Sequence, residues 1–544
     1  MKNEKNKIVR DASEIWKRYE KSKDYMTKKN LKERTERSWK FYIGKQWYDT
    51  RDSKGERNLP SMNFIKPSIK YKVSSISQHL LTAIYSDLDG TDEETCNSLS
   101  QLFSISWEKA KMDSISWKAL KHCAIGGDTY VYFYSGDTRK KPQVLLNTNI
   151  LLGDENTSDI QEQPYIIIEE RMPVEQLRHE AKLNGASQEV IDGIAPDSNT
   201  DTQLLNNDEV SEKATALIYF EKINGIVNVA RATKSAVYEP LHPIQQSRHG
   251  EYTGAGLTQY PILNMVWEEF PNTARGVGEV EQFLSNQLEA NKMLVRRAIS
   301  SKQTSFPRVA YDETAVANPE EIDTVGGKIK LNGGQTQSVS SLITYLNPAS
   351  QAPDAKELTD ELIDKTRDLS GAGDVMMGNY NPSRVAGTAI TTIREQQELP
   401  LNEQVEMYQN FVEDVALLWY ELWIVYNPVS IKMGNIEVDT SVLQEQKPSI
   451  KIDITENTTL SKAAEQTEIT NLLMNDKISF EEYVELLPDQ AAISKKKLLS
   501  IIQERKLQQE QMARQEAQNQ LQPDAGTLNE QPINPSGGVP EGVS

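Results

Sequence analysis

The chain has 544 residues, 38% of them hydrophobic, and a formal net charge of −19. That balance excludes a general nucleic-acid coat, which needs clustered cations to neutralise phosphates. Two cysteines, Cys96 and Cys123, exclude a disulfide framework or a cysteine-rich zinc site.

The length predicts about three or four structural units. No stretch approaches the ~20 apolar residues of a membrane span, and Met1–Arg10 carries no apolar signal core. The expectation is a chain that is cytosolic at synthesis and has no membrane partner. The five histidines are scattered, none at the paired spacing of a metal-binding helix. The charge is uneven: residues 1–70 hold 20 Lys/Arg against 10 Asp/Glu, a net of +10, so the remainder carries −29. A basic end on an acidic body fits an interaction arm or a solvated helix surface.

Residues 11–42 read as one helix, with Ile15, Tyr19, Ser22, Met26, Leu31, Thr35 and Trp39 at helical spacing and Gly44 ending it. Ile65, Ile69, Val73, Ile76 and Leu80 predict a second, with Pro67 in its first turn. Glu93–Cys123 predicts a third, stopped by Gly126-Gly127. The period then changes. Thr129–Tyr134, Gln143–Leu146, Tyr165–Glu169, Ala214–Lys222 and Val227–Ala232 read as strands, and Asn224-Gly225 signals a hairpin. Residues 172–185 read as a short helix and 186–210 as a mobile polar loop.

Helix returns at Gly278–Ser301, with Val280, Leu284, Leu288, Val295 and Ile299 on one face and Asn291 as a polar gap. Phe306–Ala310 and Lys328–Leu331 look like strands, and Pro353–Leu369 is a further helix whose early acids suit the helix dipole. The Gly-rich stretch Ser370–Gly387 precedes a long helical tract to Tyr426, broken by Pro400. Ile431–Thr440 and Ser449–Ile454 read as strands. Ser461–Leu521 reads as Gln-rich helix, and Pro523–Ser544 as a disordered tail.

No Gly-x-x-x-x-Gly-Lys-Ser/Thr loop occurs, and Gly276-Val-Gly278 lacks the third glycine of a dinucleotide fingerprint. Adjacent acids such as Glu169-Glu170 and Glu268-Glu269 do not by themselves make a two-metal site, because strand neighbours face opposite ways. The aromatics Trp39, Phe41, Tyr42, Trp47 and Tyr48 beside Lys40 and Lys45 fit either a packing corner or a base-stacking surface. No catalytic residue, metal ligand or cofactor is expected.

Four segments together resemble the portal proteins of tailed double-stranded DNA phages, the head-to-tail connector rings. They are Phe41-Tyr-Ile-Gly44-Lys-Gln46-Trp47; Leu59-Pro-Ser-Met-Asn63; Pro261-Ile-Leu-Asn-Met-Val-Trp267 running through Gly276-Val-Gly278; and Asp368-Leu-Ser-Gly371 with Gly378-Asn379 and Ser383-Arg-Val-Ala-Gly387-Thr-Ala389-Ile390. Their order and spacing match over about residues 15–460.

The resemblance implies an α+β, mainly helical fold with wing, stem, clip and crown, forming a ring around a central channel. The wing would span 1–270, the first stem helix 271–301, the clip 302–352 and the second stem helix 353–369. A channel loop would occupy 370–384, a long kinked helix and the rest of the wing 385–460, a helical crown 461–521, and a disordered tail 522–544. It implies a homo-oligomer of about twelve copies at one capsid vertex, closed as a head-to-tail ring. Double-stranded DNA would be packaged through it by the terminase large subunit and later ejected, without sequence reading. Head-completion and tail adaptor proteins, capsid and scaffold proteins would be its other partners, first in the host cytoplasm and then in the virion.

Within that frame Met376, Met377, Gly378, Asn379, Tyr380 and Asn381 are the expected channel loop. Arg384, Lys292, Arg296 and Arg297 are candidate channel cations, or else partners of acids such as Asp360 and Asp364. Glu320, Glu321 and Asp323 are candidate clip contacts for terminase or adaptors. The alternatives are another structural virion protein and a metal-dependent nucleic-acid enzyme.

Overall fold

The computed structural model describes residues 10–47, 60–86, 93–133, 141–199, 204–205, 209–248, 251–305, 308–322, 324, 326–332, 338–346, 353–369, 399–427, 429–433, 436–443, 449–456, 469–475, 477–479 and 483. The chain divides into two units, Met1–Thr455 and Glu456–Ser544.

In the first unit, the Asp11 carboxylate accepts from the Glu14 backbone N–H at 2.7 Å and caps α1, Ala12–Lys28. The single helix expected over 11–42 is two. Asn30 turns through φ 50°, a left-handed conformation that Asn tolerates, before α2, Leu31–Ile43, closes on Gly44 at φ 93°. The next helix, α3, is Ile65–Ser77 and does not reach Leu80, because His79–Ser86 is strand β1. The third expected helix also breaks, at Lys111 with φ 57°, into α4, Glu93–Ala110, and α5, Met112–Gly126.

Strands β2 (Asp128–Tyr132), β3 (Gln143–Leu146), β4 (Ile150–Leu152) and β5 (Tyr165–Pro173) follow. Helices α6 (Val174–Leu183) and α7 (Gln188–Asp192) precede β6 (Lys213–Ile223) and β7 (Ile226–Ala232). The β6–β7 turn has Asn224 at φ 52° and Gly225 at φ 80°, the double positive φ that Asn-Gly supplies. Then come β8 (Val237–Pro243), β9 (Gln245–Arg248), β10 (Glu251–Gly256) and β11 (Ile262–Val266). β4-β5-β6-β7-β8 form one antiparallel sheet, and β11-β2-β3 another.

Both faces of the five-stranded sheet are covered. Ile166 and Ile168 join the main core, whereas Ile167 between them packs with Ile15, Tyr19 and Met26 of α1. That is why Tyr165–Ile168 reads as a continuous apolar run rather than an alternating one. The stretch expected as a mobile loop, 186–210, contains α7 and is tied down where it is described. Asp197 accepts from Arg171 and, at 2.7 Å, from the Thr215 backbone N–H, and Asn199 donates to Tyr19 Oη at 2.8 Å.

The remaining elements are α8 (Glu279–Ser305), β12 (Arg308–Tyr311), α9 (Val339–Leu342), β13 (Ile343–Leu346) and α10 (Pro353–Leu369). After them come α11 (Asn402–Tyr426), β14 (Ser430–Met433), β15 (Ile436–Asp439), α12 (Thr440–Leu443) and β16 (Ser449–Glu456). A 3-10 turn, Leu399–Leu401, carries Pro400 and leads into α11; the part of the expected helical tract before Leu399 lies outside the described residues. α11 is the core helix: Phe411, Val412, Val415, Ala416 and Leu418 are buried.

Lys328–Leu331 is not a strand. It contributes one antiparallel bridge, Leu331 with Val316. In the second unit, residues 469–474 are helical. The fold is α+β, as expected.

Candidate assembly site: a helix pair and its buried root

The root of α8 is set by a buried arginine. All five N–H donors of Arg275 are used. Nε and Nη2 donate to the Glu155 carboxylate at 2.8 Å each; Nη1 donates to the Asn147 carbonyl at 2.9 Å and to Asp128 at 3.3 Å; Nη2 also reaches the Ile150 carbonyl at 3.0 Å. Burial raises the Asp128 carboxyl pKa, and Arg275 and Asn147 pull it back. Asn147 donates to Asp128 at 3.2 Å and to the Gly126 carbonyl at 3.1 Å, so the end of α5, β2, the β3–β4 turn and the approach to α8 share one charge network. A Cβ on Gly127 would lie 2.4 Å from the Gly276 carbonyl oxygen, and one on Gly276 would lie 2.4 Å from that of Gly127. Two backbones pass here at a spacing only glycine permits.

A second junction lies on α8 itself. Asn291, the polar gap of its apolar face, is fully buried and donates to Gln46 Oε1, while its own oxygen accepts from the Met62 backbone N–H at 3.0 Å. Gln287 accepts from the Phe64 N–H at 3.1 Å and donates to the Met62 carbonyl at 2.5 Å. Gln46 and Asn63 both donate to the Phe41 carbonyl, each at 3.1 Å, beside the Gly44 N–H that caps the end of α2. The Gly44-x-Gln46 corner and the Met62-Asn63 segment therefore meet at the same place on α8. A third contact joins α3 and α11: Glu279 takes Lys72 at 2.6 Å and Trp267 Nε1 at 3.1 Å, and Gln404 donates to the Trp267 carbonyl at 3.1 Å.

Beyond this root α8 loses its cover. Val280 is fully buried, whereas Ile299 is 50% exposed. α10 pairs with it through polar and small groups: Asn286 donates to Thr366 Oγ1 at 3.2 Å, Thr359 Oγ1 lies 3.7 Å from Met293 Sδ, and Arg297 sits 3.8 Å from Asp360. Leu358 on α10 is 51% exposed. Between the two helices lies a small β unit in which β12 pairs antiparallel with β13.

Of the candidate cations, Lys292 and Arg296 both reach Glu289, at 3.4 and 3.5 Å, and Arg297 reaches Asp360 within the same chain. Glu320 is exposed and Glu321 half-buried in the 3-10 turn Pro319–Glu321. Asp323, Arg384 and Met376–Asn381 lie outside the described residues. Arg275, Glu155 and Asp128 were missed by sequence reasoning. Their partners are 120 and 147 positions apart, and no local pattern marks them.

Among the described residues, no group of three or more His, Cys, Asp or Glu is placed to hold a metal ion, and no helix is long and apolar enough to cross a membrane. Asp128, Glu155 and Glu279 are buried against Arg275 and Lys72.

No family model matches this chain, and no curated relative matches it in sequence. Among solved structures it is similar to a chain in the virion of a native gene transfer agent (GTA) particle, with a TM-score of 0.33, 10% identity, and coverage of 77% of this chain and 88% of that one. It is also similar to a chain in the neck of an empty GTA particle computed with C6 symmetry, with a TM-score of 0.28, 10% identity and the same 77% and 88% coverage.

Proposed function

We propose that the chain is a portal-type subunit that closes into a ring of about twelve copies and conducts double-stranded DNA. The observation that carries this reading is the pair α8–α10: anchored at one end by buried polar contacts, bearing a small β unit between its helices, and exposing Ile299 and Leu358. Neighbouring copies packed side by side in a ring would cover both side chains.

In this reading α8 and α10 are the stem and residues 302–352 the clip. Lys292, Arg296 and Arg297, each beside a carboxylate, would give the wall a weak field. DNA slides on such a wall, because phosphate contacts too few to grip it release few counterions. Glu320, Glu321 and Asp323 would meet basic surfaces of terminase or adaptors. Met376–Asn381 and Arg384 would border the channel. No catalytic step is assigned.

Light scattering on the purified chain, followed by negative-stain imaging, tests the proposal. The expected result is a mass near twelve chains and rings with an axial hole. A stable monomer overturns it.

A further inference from the structure

Four lysines crowd one face where α3 and α5 pack together. Lys66 and Lys70 are one helical turn apart on α3, and Lys118 and Lys121 nearly so on α5. Lys66, Lys70 and Lys118 are exposed, and none of the four is in an ion pair among the described residues. Lys121 lies over the rings of Trp39, at 5.8 Å, and Trp117, at 5.4 Å; Trp117 is 41% exposed. Burial lowers the Lys121 pKa, and Lys118, Lys70 and Lys66 lower it further. Trp39 Nε1 and His122 Nδ1, beneath this face, are buried without a hydrogen-bond partner among the described residues. In a chain of net charge −19, a like-charged cluster with no anion beside it among the described residues is a surface ready for an anion from another copy.

The same chain supplies a complementary stripe. Glu357, Glu361 and Asp364 recur at i, i+4 and i+7 on the exposed face of α10, next to the exposed Leu358. Glu357 and Glu361 are in no ion pair among the described residues. The two surfaces lie on different sides of α8. Asn286, Met293 and Arg297, spaced by seven and four residues, face α10. Gln287 and Asn291 face the segment that enters α3, about a third of a turn round the helix. Among the described residues no ion pair joins the stripe to the lysines, and in a head-to-tail ring the stripe of one copy meets a different face of the next.

We infer that the lysine face of α3 and α5 docks the acidic stripe of α10 from a second copy of this chain, with Trp117 and Leu358 as the apolar part of the contact. The inference rests on the ring reading and names the surfaces that would join its subunits.

The test is light scattering across a concentration series on the full chain, with circular dichroism as the folding control. Lys66→Glu with Lys118→Glu should weaken association at least about tenfold, since like charges would then face each other. Adding Glu357→Lys with Glu361→Lys should restore it. A wild-type monomer defeats the ring reading itself. A wild-type ring with unchanged association in the lysine variant overturns only this inference, as does a loss that the reversed acids do not repair. Assembly unchanged but binding of a double-stranded DNA fragment lost would also overturn it, and would assign the face to nucleic acid.

Discussion

Asn291 and Gln46 are 245 residues apart and share a buried hydrogen bond at the root of α8. The bond joins the corner after α2 to a helix that runs out of the core. It explains why an otherwise apolar helix face is interrupted by an amide. Leu at that position would fill the space and leave Gln46 Oε1 and the Met62 N–H without the partners they have in Asn291.

Asn291→Leu should therefore destabilise the chain by about 2–4 kcal/mol, the cost of orphaning buried polar groups. Urea unfolding followed by tryptophan fluorescence reads this directly. A change under about 0.5 kcal/mol would show that the amide is not holding the root.

Arg275 carries a heavier load. Arg275→Met leaves Glu155 and Asp128 buried without their cation, at a cost of about 3–5 kcal/mol. Arg275→Lys should recover little, because an ammonium cannot match the two-pronged contact with Glu155. Thermal unfolding of the two variants side by side checks the ranking.

Two glycines give a contrast. Gly276→Ala places a methyl 2.4 Å from the Gly127 carbonyl and should prevent α8 from seating, which soluble yield and protease resistance would report. Gly225→Ala meets only open space at φ 80° and should cost about 1–2 kcal/mol, the left-handed backbone penalty alone.

His122 predicts a pH dependence. Burial, then Lys118 and Lys121, pushes its pKa down to about 3 from an ordinary 6.5. The unfolded chain thus binds a proton between those values while the folded chain does not. Stability from this group is intact above pH 6.5 and lost progressively as the pH falls toward 3. The loss should be about 1–3 kcal/mol once partial solvation is allowed for. His122→Gln should flatten the acid limb of a stability-against-pH curve; an unchanged slope would refute the assignment.

The exposed apolar side chains give the last prediction. Leu358→Ser with Ile299→Ser should leave the subunit folded, at a cost of about 1–3 kcal/mol, since each side chain is only half covered. Ring assembly by light scattering should nonetheless weaken. Unchanged assembly would remove these residues from the subunit contact.

Much of the local structure was legible in the residues themselves. The bounds of β3 and α10 and the Asn-Gly hairpin follow from periodicity and backbone chemistry acting over a few positions. The breaks at Asn30 and Lys111 were not legible, because the apolar spacing continues across them and only the packing of the separated helices repays the turn. Leu80 fitted the helical spacing of α3, but β1 takes it to pair with β16, a partner far along the chain.

The candidate site divides in the same way. The sequence by itself determined the two helices and a strand just after the first, since each is written in local pattern. It put the partner strand at Lys328–Leu331, whereas pairing in the folded chain falls to Ile343–Leu346. Only the tertiary structure decided what anchors them. Arg275 with Glu155 and Asp128, Asn291 with Gln46, and the passing of Gly127 by Gly276 are contacts between distant segments. Burial makes them expensive to break, and burial is a property of the folded chain that no local stretch of residues carries.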